Sequence, residues 1–445
     1  MLNLVLGILQ FIVIGIICIW EVKQKSSASF LWATLMIMFG IMHLISVLVA
    51  GGSYSEKILW KASLFAIVFS LLYFATRLIL SRKICCFNRK TFEEISKNKE
   101  VDEKYSIYYL IFFLTSIGIS LRLIIRAGGV MNTSWSSGRE IGLNESYVNI
   151  HFIFNILYFA LGGLFCCALV NGKKAKTAFT FFCILVVVLI GRDRMAVLPI
   201  LTGIIALVLF KIRRIKIKTI FFAMIAAVVV IFIVYGLRAY RWYGTIGNML
   251  EQFKMSDFIE QIITFIKTDN GELGLRNYFY HFIENNNNFH GFGKGHTYIR
   301  MFLVYIPTRF SFGVKPTDFA QTMASAVGRG IGSSIHPTLF GDCYANLGMY
   351  GIFLGVLWGI IATIGDYLTL KFKSGGLKIL AFILLSSMYV MIARGAVYNA
   401  FVKIAYGIPV LYFLQYLKKI KITYRKTYKQ RKDRWNECEV QESIK

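Results

Sequence analysis

The stretch GRDRMAVLP, residues 191–199, places Arg192, Asp193 and Arg194 between the apolar runs TAFTFFCILVVVLI and MAVLPILTGIIALVLF. Arginine at the edge of an apolar segment has two readings. A single one snorkels to the membrane interface, here with Asp193 as its partner. Several at one depth make a phosphate site, because guanidinium offers planar, bidentate donors and stays charged at every relevant pH. More arginines sit where apolar runs end: Arg238 and Arg241 in YGLRAYRWYG, on one helical face, Arg394 in IARGAVYN, and Arg122 and Arg126. Together they predict a positive pocket built from several helices. A diphosphate is the ligand class that best accounts for it, and ordinary anionic headgroups are the competing one. The stretch GIGSSIHPTLFGDCYANLGMYGIFLG, 330–355, carries a second kind of chemistry. His336 precedes Pro337 and a small-residue turn, and Asp342 follows in the next helix. A lone histidine more often caps or packs. Beside a positive pocket, with a carboxylate in reach along the chain, His336 is instead a candidate general base near neutral pH, and Asp342 orients or replaces it.

The elements that must position these residues are membrane helices. Of 445 residues, 56% are hydrophobic and 16% charged, with a mean hydropathy of +0.60. About eleven runs are long and apolar enough to span a bilayer: 2–20, 28–50, 58–80, 105–126, 151–170, 177–191, 195–210, 219–236, 346–370, 377–393 and 396–416. The first has no basic stretch before it and no small-residue cleavage site after it, so a retained span is expected. The fold class expected is all-α, a polytopic membrane protein with one long outer segment in a GT-C-like arrangement.

The net charge of +27 is not spread evenly. Lys and Arg gather in alternate loops, 81–104, 171–176, KIRRIKIK at 211–218 and 371–378, and in the tail. That alternation is the positive-inside pattern, which places the basic tail 417–445 in the cytoplasm and the N-terminus outside. Basic loops beside anionic lipid account for the charge, and nucleic-acid binding is excluded as a reading. The eight cysteines show neither a disulfide framework nor metal-ligand spacing. No metal or cofactor is expected. The chain therefore divides into spans at 1–236, an outer segment at 237–345, spans at 346–416 and the tail.

The outer segment is too long for a plain connector. IGNMLEQFKMSDFIEQIITFIKT has the spacing of an amphipathic helix lying on a membrane. LRNYFYHFIE predicts a short helix ended by an Asn run, FHGFGKGHTY a Gly-rich turn, and TYIRMFLVYIP an apolar helix stopped by Pro307. GFGKGHT lacks the glycine spacing of a nucleotide-binding loop.

GHTYIRMFLVYIPTRFSFGVKPTDFA, followed by HPTLFGDCYANLGMYG, resembles the Wzy-type O-antigen or oligosaccharide repeat-unit polymerases. That family shows a similar Pro–Arg…Lys–Pro stretch and then a small turn, an acid and Tyr–x–Asn–x–Gly leading into the next span. The related O-antigen ligases carry a His at a site like His336 and an Arg-bearing start of a span like GRDRMAVL. Here Thr308 separates Pro307 from Arg309, and Asp342 stands where many relatives have Glu.

The resemblance implies transfer of a growing glycan from undecaprenyl diphosphate onto a lipid-linked repeat unit at the outer face of a bacterial plasma membrane. It implies that Arg309 and Lys315 join Arg192, Arg194, Arg238, Arg241 and Arg394 on the diphosphate, and that Tyr344 and Asn346 meet sugar. A chain-length regulator and a flippase are the implied protein partners. Trp135, Tyr240, Trp242, Tyr243 and Tyr298 either stack on sugars or belt the interface. Ligase-type transfer to a lipid or cell-wall acceptor and lipid-linked oligosaccharide flipping are the alternatives. A flippase should show internal halves and charges deep within its spans.

Arg192→Lys keeps the charge and loses the fork, so markedly shorter polymer at unchanged protein level is expected on a gel of the surface polysaccharide. Full-length polymer from Lys at Arg192, Arg194, Arg238, Arg241, Arg309 and Arg394 alike would make interfacial anchoring the correct account.

Overall fold

The computed structural model describes residues 2–48, 54–81, 121, 125, 128–129, 162, 165, 168, 174–191, 198–211, 246–252, 254–257, 259–260, 273–287, 295–306, 310–317, 319–326, 335–373, 375–413 and 415–416. Among them all regular structure is helical. The longer helices are α1 (Leu2–Lys23), α2 (Ser29–Leu48), α3 (Glu56–Ser81), α4 (Lys174–Gly191) and α5 (Leu198–Lys211). Short ones follow: α6 (Ile246–Gln252), α7 (Arg276–Glu284), α8 (His296–Phe302), α9 (Phe319–Ala326) and α10 (Thr338–Leu347). The last three are α11 (Leu354–Lys371), α12 (Gly375–Ala393) and α13 (Val397–Phe413).

Leu2–Lys23, Ser29–Leu48, Glu56–Leu80 and Thr338–Lys371 are long and apolar enough to cross a membrane, and α12 and α13 are shorter apolar helices. With no water to satisfy backbone groups, segments of this composition are helical because every N–H and C=O must be bonded within the segment. The expected runs 105–126, 151–170 and 219–236 lie outside the described residues apart from isolated positions. So do most of the expected amphipathic helix beyond α6 and the basic tail.

The penultimate group of spans begins earlier than its apolar run. Helix starts at Thr338, eight residues before 346, passes through a 3₁₀ segment at Gly348–Phe353 and continues as α11. The expected span begins at Asn346, and Asp342 in the added turns is satisfied by a partner from a distant part of the chain. The helix containing Tyr298 stops at Phe302, short of Pro307. Its continuation turns aside at 303–306, where Tyr305 and Val304 bond to α13.

The core bundle is α1, α2, α3, α11 and α12, with α11 lying along α3. Glycine permits that approach. A β-carbon on Gly355 would come within 2.4 Å of the Phe69 carbonyl oxygen, and one on Gly359 within 2.9 Å of the Thr76 β-carbon. Small residues let helix backbones close up in a membrane, where dispersion and not water exclusion drives association. In α2 the stretch Met36–Ile41 is a π-helix, and Gln10 of α1 donates to the Phe39 carbonyl within it at 2.5 Å.

At one end of the bundle a buried charge cluster joins three helices. Arg77 of α3 donates through Nε and Nη2 to the two carboxylate oxygens of Glu21 on α1, both at 2.8 Å. Nη2 also reaches Asp366 of α11 at 2.7 Å, and Nη1 reaches Thr363 at 3.0 Å. Tyr73 donates to Glu21 at 2.7 Å. Ser26 and Ser27, in the turn after α1, donate to Asp366 at 2.7 and 3.0 Å. Since Glu21, Arg77 and Asp366 all lie toward the C-terminal ends of their helices, α1, α3 and α11 run in the same direction.

Removing one member of a buried ion cluster leaves uncompensated charge and costs about 3–5 kcal/mol. Arg77→Met should therefore lower the melting temperature of the detergent-solubilised protein sharply. The triple variant Glu21→Gln, Arg77→Met, Asp366→Asn should recover most of the loss.

Candidate functional site

The site elements gather at the other end of the bundle, beyond the start of α11, which lies about 18 Å along the helix from Asp366. Each is short, and each is held by bonds to another element. α8 begins at Gly295, whose φ of +78° suits glycine, and its first turn docks on α10. Asn346 accepts from the backbone N of Thr297 at 3.0 Å, so a side chain of one helix caps the start of another. The same Asn346 donates to Thr297 Oγ1 at 3.1 Å and to the Asp342 carbonyl at 2.8 Å. Thr297 Oγ1 in turn donates to Asp342 Oδ2 at 3.1 Å. Asp342 and Asn346 are each 1% exposed. Their polar groups are thus directed at Thr297 and at one another.

α7 is fastened to α10 from the opposite side. It ends in Asn285–Asn287, with Asn286 and Asn287 at positive φ, a conformation that asparagine tolerates. There Asn287 donates to the carbonyls of Tyr344 and Ala345 at 2.6 and 2.7 Å, taking up acceptors that the end of a helix leaves open. The Tyr344 ring is buried, edge-on to Phe65 at 5.6 Å and Phe279 at 5.8 Å. Tyr298 is buried with its hydroxyl 3.2 Å from Cys343 Sγ. Burial, followed by the nearby Cys343 and Asp342, pushes the Tyr298 phenol well above its ordinary pKa, so it stays protonated.

His336 is half-buried, at the turn into α10. The backbone N of Thr338 donates to the Arg394 carbonyl at 3.0 Å, and Thr338 has a φ of +69°. The two backbones press together here: a β-carbon on Gly395, itself at φ +95°, would lie 2.3 Å from Thr338 N. Only glycine fits that position. The structure therefore brings the His336–Pro337–Thr338 turn against the Arg394–Gly395 turn that joins α12 to α13.

Just beyond Arg394, Tyr398 stands in the first turn of α13, and two cations face its ring. The Arg300 guanidinium is 4.4 Å from the ring centroid and Lys315 Nζ is 6.0 Å from it. Lys315 also donates to the Ile306 carbonyl at 2.6 Å, and Arg300 to the Pro316 carbonyl. Arg300 lies inside TYIRMFLVYIP, where an apolar helix was the whole expectation. Its one sequence signal is a charge in that run, and Tyr398 comes from a part of the chain about a hundred residues away. Thr297 carried no signal at all.

Of the residues expected on the diphosphate, Lys315 and Arg394 are at this end of the bundle. Arg192, Arg194, Arg238, Arg241 and Arg309 lie outside the described residues, as does Asp193.

The molecule so described is an all-helical integral membrane protein with a histidine, buried carboxylate chemistry and several cations collected at one end. A family model for the O-antigen polysaccharide polymerase Wzy matches residues 1–427, and the chain belongs to that family. Comparison with functionally characterised proteins and with solved structures gave no match. The family is one of glycosyltransferase-type polymerases acting on lipid-linked oligosaccharide repeat units in the membrane.

The Thr297–Asp342–Asn346 bonds make a structural prediction. Thr297→Val leaves the buried Asp342 carboxylate short of a donor, which costs about 1–3 kcal/mol. A clearly lower melting temperature is expected, whereas Thr297→Ser should melt close to the parent.

Proposed function

We propose that the protein extends a polysaccharide at the outer face of a bacterial plasma membrane. The growing glycan is transferred from undecaprenyl diphosphate to the terminal sugar hydroxyl of a second lipid-linked repeat unit. The observation that carries this reading is the contact between the His336 turn and the Arg394 turn, in a chain matched along nearly its whole length by the polymerase family. The alternation of basic loops supports placing the Arg77 end of the bundle in the cytoplasm and the His336 end outside.

In the reaction, the acceptor oxygen forms a bond to the anomeric carbon as the bond from that carbon to the diphosphate breaks. The bonding pair leaves with the diphosphate, and the hydroxyl proton passes to a base. A diphosphate needs charge stabilisation more than protonation, and the guanidinium groups of Arg394 and of the arginines at 192, 194, 238 and 241 would supply it without a metal. One well-placed electrostatic donor is worth ~3–4 kcal/mol of barrier.

His336 is better placed than Asp342 to take the proton. The Asp342 carboxylate is buried and engaged by Thr297 and Asn346, while His336 is half-buried beside Arg394. Asp342 then acts by fixing α8 against α10, the helix that His336 precedes. Asn346 belongs to the same fixture, and sugar contact by Tyr344 would need its hydroxyl edge and not its packed ring face.

The test uses purified enzyme and a lipid-linked repeat unit, with product dimer measured from pH ~5.5 to ~8.5. His336→Ala should lose roughly 10²–10⁴ in rate, the range for a positioned base. A base must be neutral to accept a proton, so activity should fall as pH drops through the imidazole range, near ~6.5 in water. That acid limb should vanish in the variant. If His336→Asn keeps near-parental rates while Asp342→Asn loses them, the base is Asp342.

A further inference from the structure

The stretch after α8 exposes more aromatic surface than any solvated turn requires. Phe302 is 82% exposed and Phe312 is 95% exposed, with Tyr305, Ile306, Phe310 and Val314 also open. Phe312 stands at φ +47° followed by Gly313 at φ +81°, so the chain holds a bulky ring outward in a conformation such residues rarely adopt.

The depth of this stretch is fixed by α13. Tyr305 donates to the Ala405 carbonyl at 2.8 Å, and Tyr406 donates to the Val304 carbonyl at 3.2 Å. Their rings meet edge to face at 5.4 Å. From Val397, the first residue of α13, to Ala405 is eight residues, so the Tyr305 hydroxyl lies about 12 Å along the helix from the site end. Lys315 and Arg300 mark the upper level, since both face Tyr398 in the first turn of α13. The stretch thus presents cations at the level where α13 begins, with Val304 and the Tyr305 hydroxyl about two turns further in. Cations at one level with exposed aromatic and apolar side chains beside them is the pattern of a segment seated at a bilayer interface.

We infer that residues 302–306 and 310–314 form an aromatic wedge seated among the acyl chains of the leaflet on the site's side. Arg300 and Lys315 form its collar at phosphate depth. The occupant of this apolar face is the bilayer itself, since the exposed rings continue the apolar surface of α13, where Val410 and Phe413 are also open. The inference holds whichever donor and acceptor the enzyme uses. It makes the approach to the His336 end partly a path through lipid.

The test is photocrosslinking in the intact protein, reconstituted in phosphatidylethanolamine–phosphatidylglycerol vesicles. Phe302, Phe310 and Phe312 are replaced one at a time by p-benzoylphenylalanine, which keeps an apolar ring, and Asn286 is replaced likewise as a control. Phospholipid adducts by mass spectrometry at the three wedge positions, and none at 286, are expected. Absence of lipid adducts at all three would overturn the wedge. So would crosslinks to a second copy in their place, which would mean that another chain covers the face. The readout needs no turnover, so it stands or falls separately from the polymerase reading.

Discussion

Burial of the Arg77 guanidinium constrains everything else in the bundle. A cation inside an apolar slab is tolerated only when its charge and its donors are met in place. Here Glu21 and Asp366 meet the charge, and Thr363 and Ser26 take further donors. Two carboxyl groups face one guanidinium, and the hydroxyls of Tyr73, Ser26 and Ser27 donate to their remaining oxygen lone pairs. Every bond in the cluster has a direction, so α1, α3, α11 and the turn after α1 have one mutual register.

That register reaches the other end of the molecule through close packing. Gly355 and Gly359 bring α11 against α3 so tightly that neither helix can slide past the other without a steric collision. α10 leads into α11 through the 3₁₀ segment, and a β-carbon on Gly351 there would lie 2.4 Å from the Cys343 carbonyl oxygen. The helix that follows His336 is therefore placed by contacts that begin at Arg77. At the site end, a second polar cross-link of Thr297, Asp342 and Asn346 does for short helices what the first does for long ones. Helices of seven to ten residues are marginal alone, and tertiary bonds hold them.

This division of labour bears on the chemistry. A carboxylate used to fasten two helices is poorly suited to receive a proton from a substrate in each cycle, because protonation would loosen the fastening. His336, half-buried in the turn before α10, is the group proposed for that step. Arg394 and Tyr398 stand at the α12–α13 turn, which packs against the His336 turn, so on the proposed reading anion binding and proton removal would share one scaffold.

Much of this was legible in the chain. Hydrocarbon thickness demands runs of about twenty apolar residues, and α1, α2, α3, α12 and α13 stand close to where the runs predict them. The short α7 with its Asn terminus and the turn at His336–Pro337 were readable from local chemistry, because caps, prolines and asparagines act within a few residues. Partnership was not readable. Nothing in the local sequence of Glu21 or Asp366 names a partner. Arg77 joins them across 56 and 289 residues of sequence. Asp342 was expected to orient or replace a base and Asn346 to meet sugar, and nothing local pointed to Thr297, 45 and 49 residues away, as the partner that both bond. Sequence determines where apolar surface is continuous enough to enter a bilayer, since that depends on composition along the chain. Which buried charge is neutralised, and by what, depends on groups that only the folded chain brings within hydrogen-bond reach.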